Sequence, residues 1–154
     1  MNRGKGGQKG LDMVDITEKK DVRREAVAQG RIRLKPGTIT AIKRGKVGKG
    51  DTLEVSRVAG VIAVKRTPEL IPACHVIPIT QVSVDFDVSR DNIKVTCRVN
   101  SVSKTGVEME ALTGVSVALL SIWDMVKELE KDENGQYPTV AIEGIRVLRK
   151  VKGS

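Results

Sequence analysis

The chain has 154 residues, of which 40% are hydrophobic and 30% charged, and its formal net charge is +8. One domain of this length buries a core without disulfides or a structural metal, and the apolar runs are too short to cross a membrane. Residues 1–12 lack the apolar segment of a secretory signal, and with only Cys74 and Cys97 present we expect a cytoplasmic protein.

The excess of positive charge predicts an anionic partner. The chain has one Phe, one Tyr and one Trp, so platforms for base stacking are scarce. This composition favours a phosphorylated small molecule over nucleic acid, and a basic nucleic-acid-binding module remains the alternative.

The first half of the chain predicts an arm, a strand and two helices. Residues 1–12 are rich in Gly and Lys and are expected to form a disordered basic arm, with a single domain over 13–154. A strand is expected over about 25–34, where Ile32 and Leu34 alternate with arginines. Helices are expected from Pro36 to about Arg44, and from Asp51, followed by Glu54 as in a capping box, to about Arg66.

The second half predicts a hairpin, a long helix and a last strand. Apolar residues alternate over 82–88 and 93–99, with the polar turn Ser89–Asn92 between them. Thr105 and Glu108 resemble a capping box for a helix over about 106–131, which the loop 132–138 follows. The last strand is expected over about 139–150, with a bulge at Gly144. This order predicts an α+β, ferredoxin-like (split βαβ) antiparallel sheet with helices packed on one face.

The long helix carries two apolar stripes. One stripe has the spacing of a core-facing surface and consists of Leu112, Val115, Leu119, Ile122, Val126 and Leu129. Val117 and Leu120 lie on the other side, and Asp124 and Lys127 continue that stripe. A single sheet covers only one side of a helix, so we expect another subunit on the second side. On spacing alone, Asp124 and Lys127 form a surface ion pair.

Other chemistry-bearing residues lie near residue 75 and near the start of the long helix. His75 is the only histidine and suits proton transfer or ligand binding, or it bonds to backbone. A zinc site of Cys74, His75 and Cys97 lacks a second spaced pair of ligands, so no metal is predicted. Glu110 is free for a hydrogen bond to a ligand.

Three segments carry a family resemblance. Residues 65–75 (KRTPELIPACH), residues 105–113 (TGVEMEALT) and Asp124-Met125 followed by Lys127 resemble signatures of the MoaC family of cyclic pyranopterin monophosphate synthases. Residues 13–15, 49–51 and 143–146 agree as well. The sequence departs from the family pattern at Val76, where proline is usual, and at the C-terminus, which lacks the usual Ser-Gly-Gly run.

The resemblance implies a lyase of molybdenum cofactor biosynthesis, a homohexamer (a trimer of dimers) with active sites between subunits. The substrate would be 3',8-cyclo-7,8-dihydroguanosine 5'-triphosphate, converted to cyclic pyranopterin monophosphate and pyrophosphate. The resemblance implies catalytic roles for Asp124, Lys127 and Lys49. Substrate-binding roles are implied for Ala73, Cys74, His75, Met109 and Glu110, and phosphate-binding roles for Arg24, Lys65 and Lys150. No cofactor is required, although Mg²⁺ could accompany the phosphates.

Overall fold

The structure is a computed structural model that describes residues 9–154. The strands are β1 (Val22–Arg33), β2 (Ile79–Val88), β3 (Asn92–Ser103) and β4 (Ala141–Lys152). The helices are α1 (Pro36–Lys43), α2 (Thr52–Lys65), α3 (Thr67–Leu70) and α4 (Glu108–Glu130). The strands form one antiparallel sheet in the order β2-β3-β1-β4, with α2 and α4 packed on it. The predicted α+β, ferredoxin-like fold is confirmed.

The core lies between the sheet and α4. The alternation predicted for β3 is confirmed, because Ile93, Val95, Cys97 and Val99 are all fully buried. From β1, Ala28 lies opposite Cys97 and Ile32 lies opposite Ile93. The hairpin turn between β2 and β3 is also as predicted, since the Ser89 N–H donates to the Asn92 carbonyl at 2.8 Å.

Helix α4 buries most of the predicted stripe, with one exception at its last turn. Val115, Leu119 and Ile122 are fully buried, whereas Leu129 is 43% exposed. Glu130 takes the inward position instead and is fully buried. Its carboxylate accepts hydrogen bonds from the Lys35 N–H and the Thr38 hydroxyl. The inward position is therefore used to satisfy polar groups at the start of α1.

By length and composition α4 is apolar enough to cross a bilayer. However, 56% of its most apolar window is buried inside the protein, against α2 and the sheet. Helix α4 is therefore accounted for as the core helix of this fold.

The two predicted helix caps have different outcomes. Asp51 caps α2 as expected, because its Oδ1 accepts a hydrogen bond from the Glu54 N–H at 3.1 Å. The prediction of a capping box at Thr105 and Glu108 is wrong, since Val107 precedes α4 and no side chain of residues 9–154 caps the helix. The Glu108 carboxylate instead pairs with Lys150 Nζ at 2.6 Å. The charged side chain of Lys150 in β4 has therefore taken the place of the backbone N–H that Glu108 would contact in a capping box.

Strand β4 contains the predicted bulge and a second one. Gly144 has a φ of +65°, a conformation that glycine adopts without strain, and the register with β1 shifts between Gln29 and Arg31. A second shift, between Val27 and Ala28, leaves Leu148 as an extra residue of β4.

The N-terminal arm falls mostly outside the described residues, which begin at Lys9. Residues 9–12 are exposed and form no helix or strand. The loop 132–138 follows α4 as predicted, and Asp132 Oδ1 closes it by accepting from the N–H groups of Asn134 and Gln136.

Candidate active site

Asp124 and two lysines form a charged cluster at the C-terminal part of α4. The Asp124 carboxylate lies 3.1 Å from Lys127 Nζ through Oδ1 and 3.1 Å from Lys49 Nζ through Oδ2. Lys49 Nζ also donates to the Asp124 carbonyl at 2.9 Å. The structure therefore brings all three predicted catalytic residues together.

Lys49 reaches this cluster from the loop between α1 and α2. Gly45 and Gly50 have φ values of +64° and +119°, which allow this loop to turn tightly before Asp51 caps α2. Lys49 thus lies just before a fixed helix start, whereas Asp124 and Lys127 are one turn apart on α4.

The cluster is open to solvent within one chain. The Asp124 side chain is 60% exposed, with Lys49 at 43% and Lys127 at 38%. Hydrogen bonds from Lys127 and then from Lys49 lower the pKa of Asp124 below its ordinary value. Asp124 is therefore ionised at neutral pH and can accept a proton.

A second group of predicted residues lines a cavity near the start of α4. Ala73, Cys74, His75, Met109 and Glu110 border this cavity of about 330 Å³, which we call the His75 cavity. The short helix α3 and the loop after it bring residues 73–75 here, while α4 contributes Met109 and Glu110 from its first turn. The structure thus joins two segments that are more than thirty residues apart in the sequence.

Burial alters the titration of two groups in the His75 cavity. Desolvation raises the pKa of the Glu110 carboxyl, opposed by its backbone hydrogen bond and reinforced by the Glu108 charge. Desolvation also raises the pKa of the Cys74 thiol, with a further contribution from Glu110. Cys74 is therefore a neutral thiol at neutral pH, which argues against a nucleophilic thiolate.

A strongly basic cavity of about 640 Å³ adjoins the His75 cavity, and the two share Lys19, Thr105, Gly106 and Glu108 as lining residues. We call it the basic cavity. Arg24 and Lys150, both predicted to bind phosphate, line it together with Lys20 and Lys152. Such a concentration of positive charge suits a polyphosphate.

Among the described residues, Glu108 is the one acidic side chain in the lining of the basic cavity. Its burial raises the pKa, but the hydrogen bond from Lys150 and the nearby charges of Lys150 and Arg24 bring it below the ordinary value. Glu108 therefore stays ionised at neutral pH and holds Lys150 in place at 2.6 Å.

Lys65 is placed differently from the other predicted phosphate-binding residues. It is exposed in the last turn of α2 and lines neither the His75 cavity nor the basic cavity. Within one chain the structure does not bring Lys65 to Arg24 and Lys150.

The charged cluster and the His75 cavity lie at opposite ends of α4. Glu110 and Asp124 are fourteen residues apart on one continuous helix, which corresponds to about 21 Å along its axis. A single chain therefore holds the predicted site residues in two separate groups.

Several residues that line the two cavities were not found from the sequence. Val14, Ile16 and Lys19 border the His75 cavity, while Lys20 and Lys152 border the basic cavity. The density of lysines at 19–20 and 150–152 was the available signal. Nothing in the pattern of residues 13–19 indicated that this segment folds back over His75.

Side chains that commonly bind metal ions are not clustered in the described part of the chain. Within 9–154 there is no group of three or more His, Cys, Asp or Glu side chains that could hold one. Cys97, one of the zinc ligands considered above, is fully buried beneath α4, and burial raises the pKa of its thiol to about 12.

Comparisons with known proteins identify the family of the chain. The model of the MoaC family matches residues 13–153. The chain belongs to the MoaC family. The resemblance seen in the motifs is thereby confirmed.

Several relatives carry the name probable cyclic pyranopterin monophosphate synthase. The protein of Thermococcus kodakarensis is 61% identical over 146 residues, covering 95% of this chain and 94% of the relative. That of Pyrococcus horikoshii is 61% identical, with 94% and 91% covered. That of Archaeoglobus fulgidus is 62% identical, with 92% and 90% covered. Membership of this family favours an enzyme over the nucleic-acid-binding module.

Proposed function

We propose that the chain is a cyclic pyranopterin monophosphate synthase whose active site is completed between subunits. Such an enzyme is a lyase of molybdenum cofactor biosynthesis, as its family and its relatives' names indicate. The substrate is 3',8-cyclo-7,8-dihydroguanosine 5'-triphosphate, and the products are cyclic pyranopterin monophosphate and pyrophosphate. Mg²⁺, if it takes part, arrives with the phosphates. The reaction takes place in the cytoplasm.

The observation that supports a shared site is the separation of the two groups along α4. Proton-transfer residues act within hydrogen-bond reach of the substrate, at about 2.6–3.2 Å. A substrate in the His75 cavity therefore cannot contact the Asp124 of the same chain about 21 Å away. A second subunit that places its own Asp124 at this cavity would bring the two groups of site residues to one substrate.

Exposed apolar side chains support the same assembly. Leu120, one turn before Asp124 on α4, is 57% exposed, and Val58 and Ile62 of α2 are 50% and 45% exposed. Apolar groups beside a charged cluster are typical of a surface that another subunit covers. We propose a homohexamer, a trimer of dimers, in which these helices contribute to the interfaces and bring Lys65 to the phosphates.

The charged cluster is suited to proton transfer. Asp124 is ionised and accepts a proton while the ring system of the substrate opens and closes again. Lys127 and Lys49 are ammonium groups 3.1 Å from that carboxylate and can return a proton or stabilise negative charge as it develops. Their partial exposure in one chain falls when the partner subunit covers them, which strengthens these interactions.

The basic cavity is suited to the triphosphate. Arg24, Lys150 and the neighbouring lysines supply fixed positive charge where pyrophosphate leaves and the cyclic phosphate closes. Each charge-assisted contact contributes about 1.5–3 kcal/mol. The adjoining His75 cavity, with the buried carboxyl of Glu110 as a hydrogen-bonding group, then receives the purine-derived part of the substrate.

The function is tested by measuring pyrophosphate release from the cyclised nucleotide. Asp124→Asn and Lys127→Ala are each expected to lower kcat by about 10²–10⁴-fold while the oligomer stays intact. Arg31→Met, on the far face of the sheet, serves as a control with normal turnover. Near-normal turnover in Asp124→Asn would contradict the assignment.

The shared site is tested by mixing two inactive variants. In mixed oligomers of Asp124→Asn and His75→Ala, about a quarter of the sites pair an intact Asp124 with an intact His75 if the two come from different chains. Activity should return to that level. If both residues act from one chain, the mixture stays inactive, and the shared site is rejected.

A further inference from the structure

The imidazole of His75 is held by a backbone carbonyl. Its Nε2 lies 2.6 Å from the Val14 carbonyl oxygen. A carbonyl oxygen only accepts, so Nε2 must carry a hydrogen and donate it. In the part of the chain that the structure describes, the imidazole makes no other hydrogen bond to protein. In the neutral ring Nδ1 is therefore the unprotonated nitrogen and is free to accept.

The segment that supplies this carbonyl is itself fixed. We call residues 13–19 the N-terminal strap. Asp15 Oδ1 accepts from the Thr17 N–H at 2.9 Å and from the Thr17 hydroxyl at 2.6 Å, which closes a tight turn. Lys104 Nζ, just after β3, donates to the Thr17 carbonyl at 2.9 Å. The strap is thus closed on itself by Asp15 and anchored to the sheet by Lys104.

The strap also forms one wall of the His75 cavity. Val14, Ile16 and Lys19 line this cavity together with His75 and Glu110. Thr105 and Gly106, the two residues that follow Lys104 in the sequence, line another part of the His75 cavity. One hydrogen bond from Lys104 therefore joins two walls of the same cavity.

We propose that the N-terminal strap positions His75: the Val14 carbonyl fixes the Nε2–H tautomer and leaves Nδ1 as the nitrogen that accepts a hydrogen bond or proton from the substrate. Lys104 is a positioning residue that acts through the strap and does not touch the substrate. This inference rests on the proposed function, because it gives a defined state to a histidine assigned to the substrate cavity.

The tautomer is measured directly by nitrogen NMR. His75 is the only histidine, so the two ring signals of ¹⁵N-histidine-labelled protein belong to it alone. At a pH where the ring is neutral, the intact protein should show a protonated Nε2 and a bare Nδ1. Lys104→Met and Asp15→Ala should each give a mixture of tautomers, and Lys104→Arg, which keeps a donor, should restore the single form. A protonated Nδ1 in the intact protein, or an unchanged tautomer in both variants, would overturn the proposal.

A matched lysine substitution provides the control. Lys94→Met removes an exposed lysine of β3, the strand that Lys104 directly follows. Lys94 lines neither cavity, so the substitution should leave both the tautomer and turnover unchanged. Lys104→Met should lower kcat/KM about tenfold, because a misplaced reacting group loses proximity, while thermal melting and oligomer size stay the same. An unchanged kcat/KM would refute the positioning role.

Measuring both the tautomer of His75 and turnover distinguishes a failure of this inference from a failure of the proposed function. If the intact protein releases no pyrophosphate from the cyclised nucleotide, the proposed function fails, while the tautomer is still measured. If turnover is normal and the strap variants keep one tautomer, the positioning role alone is rejected.

Discussion

Lys49 Nζ lies 3.1 Å from the Oδ2 of Asp124, although 75 residues separate the two in the sequence. The same Nζ donates to the Asp124 backbone carbonyl at 2.9 Å, so the lysine contacts both the side chain and the helix that carries it. The carboxylate is thereby held between two ammonium groups, one from its own helix and one from a loop.

Removing Lys49 should raise the pKa of Asp124. Hydrogen bonds from Lys127 and Lys49 lower this pKa, so Lys49→Met removes part of the effect and moves the titration of the carboxylate to higher pH. Carboxylate ¹³C NMR measures the shift. Lys46→Met, an exposed lysine of the same loop, is the control and should leave the titration in place. An unchanged titration in Lys49→Met would show that the contact is not formed in solution.

Replacing Glu130 should destabilise the fold. Its buried carboxylate accepts from the Lys35 N–H and the Thr38 hydroxyl, so Glu130→Leu leaves both donors without this partner. Each unsatisfied buried group costs about 1–3 kcal/mol of the free energy of unfolding. Urea denaturation at fixed protein concentration measures the loss. Glu130→Gln keeps an acceptor and should lose less, and Glu133→Leu in the exposed loop should lose little. Equal stability of all three variants would contradict this account.

Adding one methyl group at Gly114 should overpack the core. A Cβ there would lie 2.7 Å from Val64 Cγ2 and 2.8 Å from Cys97 Sγ, which is closer than such atoms approach. Overpacking costs about 1–3 kcal/mol, and the better helix propensity of alanine returns about 1 kcal/mol. Gly114→Ala should therefore lower the melting temperature, whereas Gly37→Ala, with no atom within 4 Å of its Cβ, should not. A melting temperature equal to that of the unaltered protein would show that α2 moves aside.

Lys150→Met should weaken phosphate binding and change the titration of Glu108. Without the hydrogen bond and charge of Lys150, the burial of Glu108 raises its pKa from its present lowered value. The loss of one phosphate contact should raise the KM for the cyclised nucleotide about tenfold with less effect on kcat. Arg146→Met, elsewhere on β4, is the control. An unchanged KM would remove Lys150 from the phosphate site.

The fold could be predicted from the sequence because the pattern of apolar residues indicates both the strands and helices and the faces that they bury. The full burial of β3 residues such as Val95 and Cys97 follows from their alternation, and the cap at Asp51 follows from a local contact. Local patterns failed where a distant partner prevails. Glu108 pairs with Lys150 instead of capping α4, and Glu130 turns inward to meet Lys35 and Thr38.

The candidate site was less accessible to such reasoning. Spacing placed Asp124 beside Lys127, but only the family motif added Lys49, since a contact between residues 75 positions apart leaves no periodic signal. The contact of His75 with the Val14 carbonyl leaves no side-chain signal at all, because every residue carries the same acceptor. Backbone partners of this kind emerge only from the folded chain.

The bulge at Leu148 determines on which side of the sheet the last residues of β4 lie. Beyond it, Lys150 lies across from Ala26 and Lys152 across from Arg24, so all three cations share the helix-bearing side of the sheet. Because side chains alternate with a period of two, pairing Leu148 directly with Val27 would place Lys150 opposite Glu25, on the other side of the sheet and away from Glu108. By leaving Leu148 outside the regular pairing, the bulge keeps Lys150 on the side of the sheet where Glu108 lies.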